Sequence, residues 1–117
     1  MRILISYEDA YRVYSDALER ALRGLRPDAE VASCRLAEIG EQLEGFDPHL
    51  VVSSRPNTVD PGGRAAWYTL SPEPDGPSEA CLDGRRSRRL NPPLEELLSV
   101  IEEAEALIHS GHELGGC

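Results

Sequence analysis

Phe46-Asp47-Pro48-His49-Leu50-Val51-Val52-Ser53-Ser54-Arg55-Pro56 is a short apolar run closed on both sides by turn formers. Leu50, Val51 and Val52 are consecutive apolar residues, two of them β-branched, which is the pattern of a strand buried on both faces of a parallel sheet. In open α/β sheets, ligands and reacting groups sit just beyond the carboxyl ends of the strands. The reading therefore places Ser53, Ser54 and Arg55 where function is decided.

Upstream of this strand, Ile3-Leu4-Ile5 is a β-prone run at the start of the chain. Tyr11, Tyr14, Leu18, Leu22 and Leu25 then fall at steps of three and four, one face of an amphipathic helix. Asp9 is its expected N-cap, and Gly24 with Pro27 marks its end, so a helix is expected over 9–25. Glu30-Val31-Ala32-Ser33 is a weaker strand candidate. Leu36, Ile39, Leu43 and Phe46 form a second stripe at helical spacing, with Gly45 at its end. Strand, helix, strand, helix, strand selects a parallel α/β sheet with right-handed crossovers.

Downstream the texture changes. Residues 55–64 hold two prolines and two glycines and leave no room for a crossover helix. Ala65 to Leu70 reads as a fourth strand, 71–77 as a turn-rich loop, and Glu79 to Leu82 as a further strand. The Asp83-Gly84 pair signals a tight hairpin, returning through Arg86 to Leu90 as an antiparallel edge strand whose charges oppose aggregation. Asn91 and two prolines open a last helix with Leu94, Leu97, Leu98, Ile101, Ala104 and Ile108 on one stripe. The expected fold is a three-layer α/β domain around a central, mainly parallel sheet of about five strands with crossover helices. It is shortened after the third strand and carries an antiparallel hairpin at one edge.

The chain's 117 residues suffice for one hydrophobic core, and 40% hydrophobic with 28% charged residues suits a globular protein. A net charge of -9 and a pI near 4.7 oppose binding to nucleic acid or anionic membrane unless a local basic patch overrides them. No apolar stretch approaches the ~20 residues that cross a bilayer, and no signal peptide is legible, so a cytoplasmic location is expected. Cys34, Cys81 and Cys117 are odd in number and widely spaced, which favours reduced thiols.

Three segments, Met1 to Asp9, Gly45 to Ser54 and Leu94 to Ile101, resemble the first strand, third strand and last helix of response-regulator receiver domains. The match is mainly one of apolar patterning, in order along most of the chain. It implies a flavodoxin-like single domain over 1–108; the three glycines between His109 and Cys117 make a flexible C-terminal tail over 109–117 the expectation. Receivers accept phosphate on an Asp at the end of the third strand. Here the resemblance puts Ser54 at that position, puts Tyr7, Glu8 and Asp9 at the acidic pocket, and finds no counterpart for the family's Lys. A carboxylate nucleophile, an acidic Mg²⁺ site and a neutralising cation together make that phosphoryl transfer work. A serine hydroxyl forms no acyl phosphate and needs its own base, so the resemblance implies a degenerate, pseudo-receiver domain.

Other features have two explanations each. Glu8 and Asp9 suit a helix N-terminus electrostatically as well as a divalent cation. Ser53, Ser54, Arg55 and Ser71 form a candidate anion site at strand ends, or a plain polar loop. Arg85, Arg86, Arg88 and Arg89 are four of the chain's twelve basic residues in one short segment, either a solvated hairpin or a docking patch for an acidic partner. No aromatic residue interleaves them, which favours protein over nucleic acid. His49, His109 and His112 connect by no motif to a serine or cysteine, and no cofactor or metal-ligand set is legible. The expectation is a non-catalytic regulatory or interaction domain, binding another protein or itself. The alternative is a small-molecule, nucleotide or anion-binding module using the strand ends around Ser6, Ser54 and Ser71.

Overall fold

A computed structural model describes residues 1–57, 65–71, 78–89 and 93–111. Its centre is a mixed six-stranded sheet in the order β2-β1-β3-β4-β5-β6. Four strands run parallel: β1 (Arg2–Tyr7), β2 (Glu30–Arg35), β3 (Leu50–Ser53) and β4 (Ala66–Leu70). The last two, β5 (Ser78–Leu82) and β6 (Arg85–Arg89), are antiparallel and extend the sheet beyond β4. The hairpin accounts for the strand beyond the five expected. Asp83 and Gly84 turn it with φ of 52° and 75°, the paired left-handed residues of a two-residue hairpin. The edge strand begins one residue earlier than its expected span, Arg86 to Leu90, whose last residue lies outside the described residues.

Among the described residues three α-helices cover the sheet: α1 (Arg12–Leu25), α2 (Ile39–Gly45) and α3 (Pro93–His109). Because successive strand residues face opposite sides, the apolar runs supply two cores. Ile3, Ile5, Leu50, Val52, Tyr68 and Leu70 meet Leu18 and Leu22 of α1 and Leu97, Val100, Ile101 and Ala104 of α3. Leu4, Val51, Trp67 and Cys81 meet Ile39 and Leu43 of α2 on the other side. Leu50, Val51 and Val52 are all completely buried, as a strand covered on both faces requires. Each such aliphatic side chain contributes roughly 2 kcal/mol of transfer free energy. Trp67 and Tyr68 point to opposite faces and both are buried, so neither is an exposed anchor.

Local departures from the expected pattern have simple causes. Asp9–Tyr11 is a 3₁₀ turn and the α-helix starts only at Arg12; Asp9 does not cap it, and Tyr11 stands at the N-cap without a side-chain bond. Leu25, at the end of the stripe, is half exposed because the helix stops there. His49 is part of the framework: its Nδ1 accepts the Arg2 N–H at 2.9 Å. Its own N–H donates to the Arg2 carbonyl, and its carbonyl accepts from Ala66 N–H. It thus links β1 and β4 at the amino edge of the sheet. At the other end of the chain, α3 runs through His109, and Ser110 Oγ donates to the Ala106 carbonyl at 2.8 Å. The expected cap Asn91, Arg64 and His112 lie outside the described residues, as does Cys117. Cys34 is a free thiol and Cys81 is disulfide-bonded, which corrects the expectation of reduced cysteines throughout.

Candidate functional site

The parallel register brings one residue from each of the first four strands into a polar row at the carboxyl side of the sheet. Cys34 pairs with Ser6, Ser6 with Ser53, and Ser53 with Thr69. By alternation these side chains share the α2 face with Leu4 and Val51. Ser6 and Ser53 are fully buried, so their hydroxyls need partners. Ser6 Oγ lies 3.6 Å from the Cys34 sulfur, and Ser53 Oγ accepts the Arg55 N–H at 3.1 Å. Burial pushes the Cys34 thiol above its ordinary pKa, partly offset by the Ser6 hydroxyl.

Tyr7, Glu8, Ser54 and Arg55 stand one step further along. The Tyr7 ring faces the α1 and α3 side, 3% exposed, edge-on to Tyr14 at 5.3 Å between centroids. Its hydroxyl donates to the Leu70 carbonyl at 2.6 Å, bridging the ends of β1 and β4. Burial, with Tyr14, Tyr68 and Glu8 nearby, pushes its pKa far above the usual phenol range. Glu8 takes the other direction: its Oε1 accepts from Arg55 Nε at 2.8 Å, closing the end of β1 onto the segment that leaves β3. The Arg55 carbonyl in turn accepts from the Trp67 indole at 2.7 Å. Arg55 is thereby held at backbone and side chain, while Asp9 stays exposed in the 3₁₀ turn.

Ser54 follows directly, and its Oγ is buried without a hydrogen-bond partner. Ser71 follows β4 and is half-buried. The structure thus gathers Glu8, Ser53 and Arg55 into one bonded cluster, with Ser54 beside it in the chain. The Arg55 guanidinium bonds the Glu8 carboxylate through Nε, which weakens its attraction for an anion at that place.

Tyr7, Glu8 and Asp9, the acidic-pocket positions of the sequence reading, line a solvent-open cavity of about 540 Å³ on the β1 and β2 side of the site, whose other lining residues sequence reasoning did not single out. Arg12, Ser15, Asp16, Ser33, Cys34, Arg35 and Glu38 complete the cavity wall. The signal for it was available in the α1 first turn and the end of β2, which follow the same carboxyl-edge rule as Ser54. Within it the Arg35 N–H and guanidinium both donate to Glu38 Oε1 at 3.2 and 3.3 Å, which holds the Glu38 carboxyl below the usual range. Carboxylates outnumber guanidiniums along its wall, so it does not favour an anion. Among the described residues, no group of three or more His, Cys, Asp or Glu side chains is placed to hold a metal ion.

The arginine cluster lies far along the sheet, on its last strand. Arg85, Arg86 and Arg88 are exposed. Arg86 is 3.7 Å from Glu79 with both side chains open to solvent, an ion pair worth little. Arg89 closes β6, and its side chain lies outside the described residues. Among the described residues, no helix is long and apolar enough to cross a membrane. No family model, curated protein or solved structure matches this chain.

Proposed function

We propose that this chain is a non-catalytic protein-interaction domain on a receiver-like frame, with the phosphoacceptor carboxylate replaced by Ser54, that meets its partner through β6. The observation that carries the reading is the Glu8–Arg55 ion pair at 2.8 Å. A divalent cation at the strand ends needs free carboxylates, and here Glu8 already faces the Arg55 guanidinium. Tyr7, at the neighbouring acidic-pocket position, is buried and its hydroxyl is bonded to a backbone carbonyl. Ser54 has no base hydrogen-bonded to it, so its hydroxyl is not activated as a nucleophile. The strand order around β1 and β3, with α1 and α3 on one face and α2 on the other, supports the frame. The exposed arginines of an otherwise acidic chain support the surface and favour an acidic protein over nucleic acid.

Two measurements test this together. Incubation with acetyl phosphate and Mg²⁺ leaves the intact mass unchanged; a stable phospho-adduct overturns the non-catalytic reading. The protein is retained on a polyglutamate surface at low salt, and a triple variant Arg85→Ser, Arg86→Ser, Arg88→Ser is not; equal behaviour of the two removes β6 as the docking surface. A second reading, a small-molecule module at the strand ends, draws on the unpartnered Ser54 hydroxyl and the nearby cavity. Ligand-induced shifts in thermal stability that vanish in Ser54→Ala would favour it instead.

A further inference from the structure

Among the described residues, β6 is the last strand of the sheet and pairs only with β5. The pair next to its two-residue turn, Leu82 and Arg85, exchanges both ladder hydrogen bonds in a hairpin of this kind. Strict alternation then leaves Arg86 and Arg88 with N–H and C=O groups directed away from β5. Their side chains share a face with Cys81 and Glu79, their register partners, while Arg85 and Ser87 share the opposite face with Leu82 and Ala80. On that opposite face a groove of about 760 Å³ separates the hairpin from the end of α3, with Leu82 and Leu107 among its apolar lining. Among the described residues the sheet therefore ends in an open backbone edge that carries Arg86 and Arg88 on one face, with Arg85 beside a largely apolar groove on the other.

The other terminal strand differs. On β2 the Arg23 guanidinium donates to the Val31 carbonyl at 2.8 Å, so that strand is already engaged by the protein's own side chain. Among the described residues β6 has no such cover, and Arg85 and Arg88 hold no carboxylate.

We propose that β6 adds one extended, acidic segment of a protein partner as a seventh strand; this deepens the interaction-domain reading and rests on it. Charge selects the occupant. A second copy pairing β6 with β6 sets arginine against arginine, and like charges directly across strands destabilise. Nucleic acid meets a net charge of -9 and, over residues 78–89, no aromatic side chain on which to stack a base. An extended segment with carboxylates at alternate positions satisfies both features at once. Its backbone bonds to Arg86 and Arg88, its carboxylates lie beside their guanidiniums, and the intervening apolar residues turn toward the groove. Strand addition gets affinity from main-chain hydrogen bonds and specificity from alternate side chains.

The test is fluorescence anisotropy of the full chain with a labelled peptide of alternating Glu and Val, about six residues long, the usual strand length. Saturable binding that weakens with added salt is expected. Two exposed ion pairs lost in Arg86→Ser, Arg88→Ser should weaken it about tenfold, with the circular dichroism unchanged. Two further peptides carry N-methyl groups on one or the other alternate set of amides. Methylating the set that faces β6 abolishes binding and methylating the other set does not. Equal behaviour of the two methylated peptides overturns strand addition, as does absence of saturable binding. In either case persistent retention on polyglutamate leaves the interaction-domain reading standing. A single-stranded oligonucleotide of the same charge that binds more tightly than the peptide overturns the choice of partner.

Discussion

Replacing Tyr7 with Phe removes one oxygen from a ring that is 3% exposed and leaves the edge-on contact with Tyr14 in place. What is lost is the hydrogen bond to the Leu70 carbonyl at 2.6 Å, on a residue that is completely buried. A buried acceptor deprived of its donor costs about 1–2 kcal/mol. For a chain of this length that corresponds to a fall in Tm of about 4–8 °C. Urea denaturation followed by the fluorescence of Trp67, the single tryptophan, measures it, with an unchanged dependence on denaturant because no surface is gained or lost. The pH dependence gives an independent check. Burial raises the folded-state pKa of this phenol, so the unfolded chain releases the proton first. The stability linked to it is fully present below the unfolded value of about 10 and is lost as pH rises past it. The advantage of wild type over Tyr7→Phe therefore narrows above about pH 10. A variant as stable as wild type, or a gap that stays constant through that range, refutes the reasoning that this hydroxyl ties β1 to β4.

His49 titrates on the other side of neutrality. Burial, with the Arg2 charge and the amino terminus beside it, lowers its pKa, and Asp47 acts weakly the other way. The unfolded chain takes up the proton first, so stability present above about pH 6.5 is lost as pH falls below it. The advantage of wild type over His49→Gln in thermal melts should shrink between about pH 7 and pH 5, and a difference independent of pH sinks this account. Cys34 should react with iodoacetamide more slowly than a free thiol near neutral pH, because burial keeps it protonated. Ser6→Ala, which removes the hydroxyl that turns to stabilise the thiolate, should slow it further; faster labelling in that variant contradicts the assignment. Cys81 should stay unlabelled until the protein is reduced.

The elements that could be read from sequence are those whose pattern points to one structural solution. Leu50-Val51-Val52, short, β-branched and closed by turn formers, favours a strand covered on both faces, and Asp83-Gly84 supplies the two left-handed residues a tight hairpin demands. The direction of β4 was not legible, because antiparallel pairing requires only a short loop, whereas parallel pairing needs a dozen or so residues of crossover. Residues 54–65 meet that minimum without any helical pattern to announce it. The start of α1 was misjudged at Asp9, since acidic residues suit a 3₁₀ turn and a helix N-terminus equally. The Glu8–Arg55 pair was invisible for a different reason. The partners are 47 residues apart, and only the β1–β3 register, itself set by burial, brings them together.

That pair also bears on the proposed docking surface. A doubly covered parallel sheet hides its strand faces under helices and its inner backbone edges in the ladder, leaving the strand ends and the two outer edges. At the strand ends, Arg55 and Glu8 neutralise each other, and Tyr7 is bonded to β4. Of the outer edges, β2 is engaged by Arg23. β6 remains, and its arginines suit the ordinary need to keep an edge from pairing with copies of itself. One or two charges meet that need, yet Arg85, Arg86 and Arg88 are all exposed within four residues of a chain that is otherwise acidic. A guard of this density does more than repel its own kind: the same field that excludes a second β6 lowers the free energy of an acidic strand in its place. Exclusion and recognition are then one property of β6, and weakening it by Arg86→Ser, Arg88→Ser should reduce binding of the acidic peptide and raise self-association together.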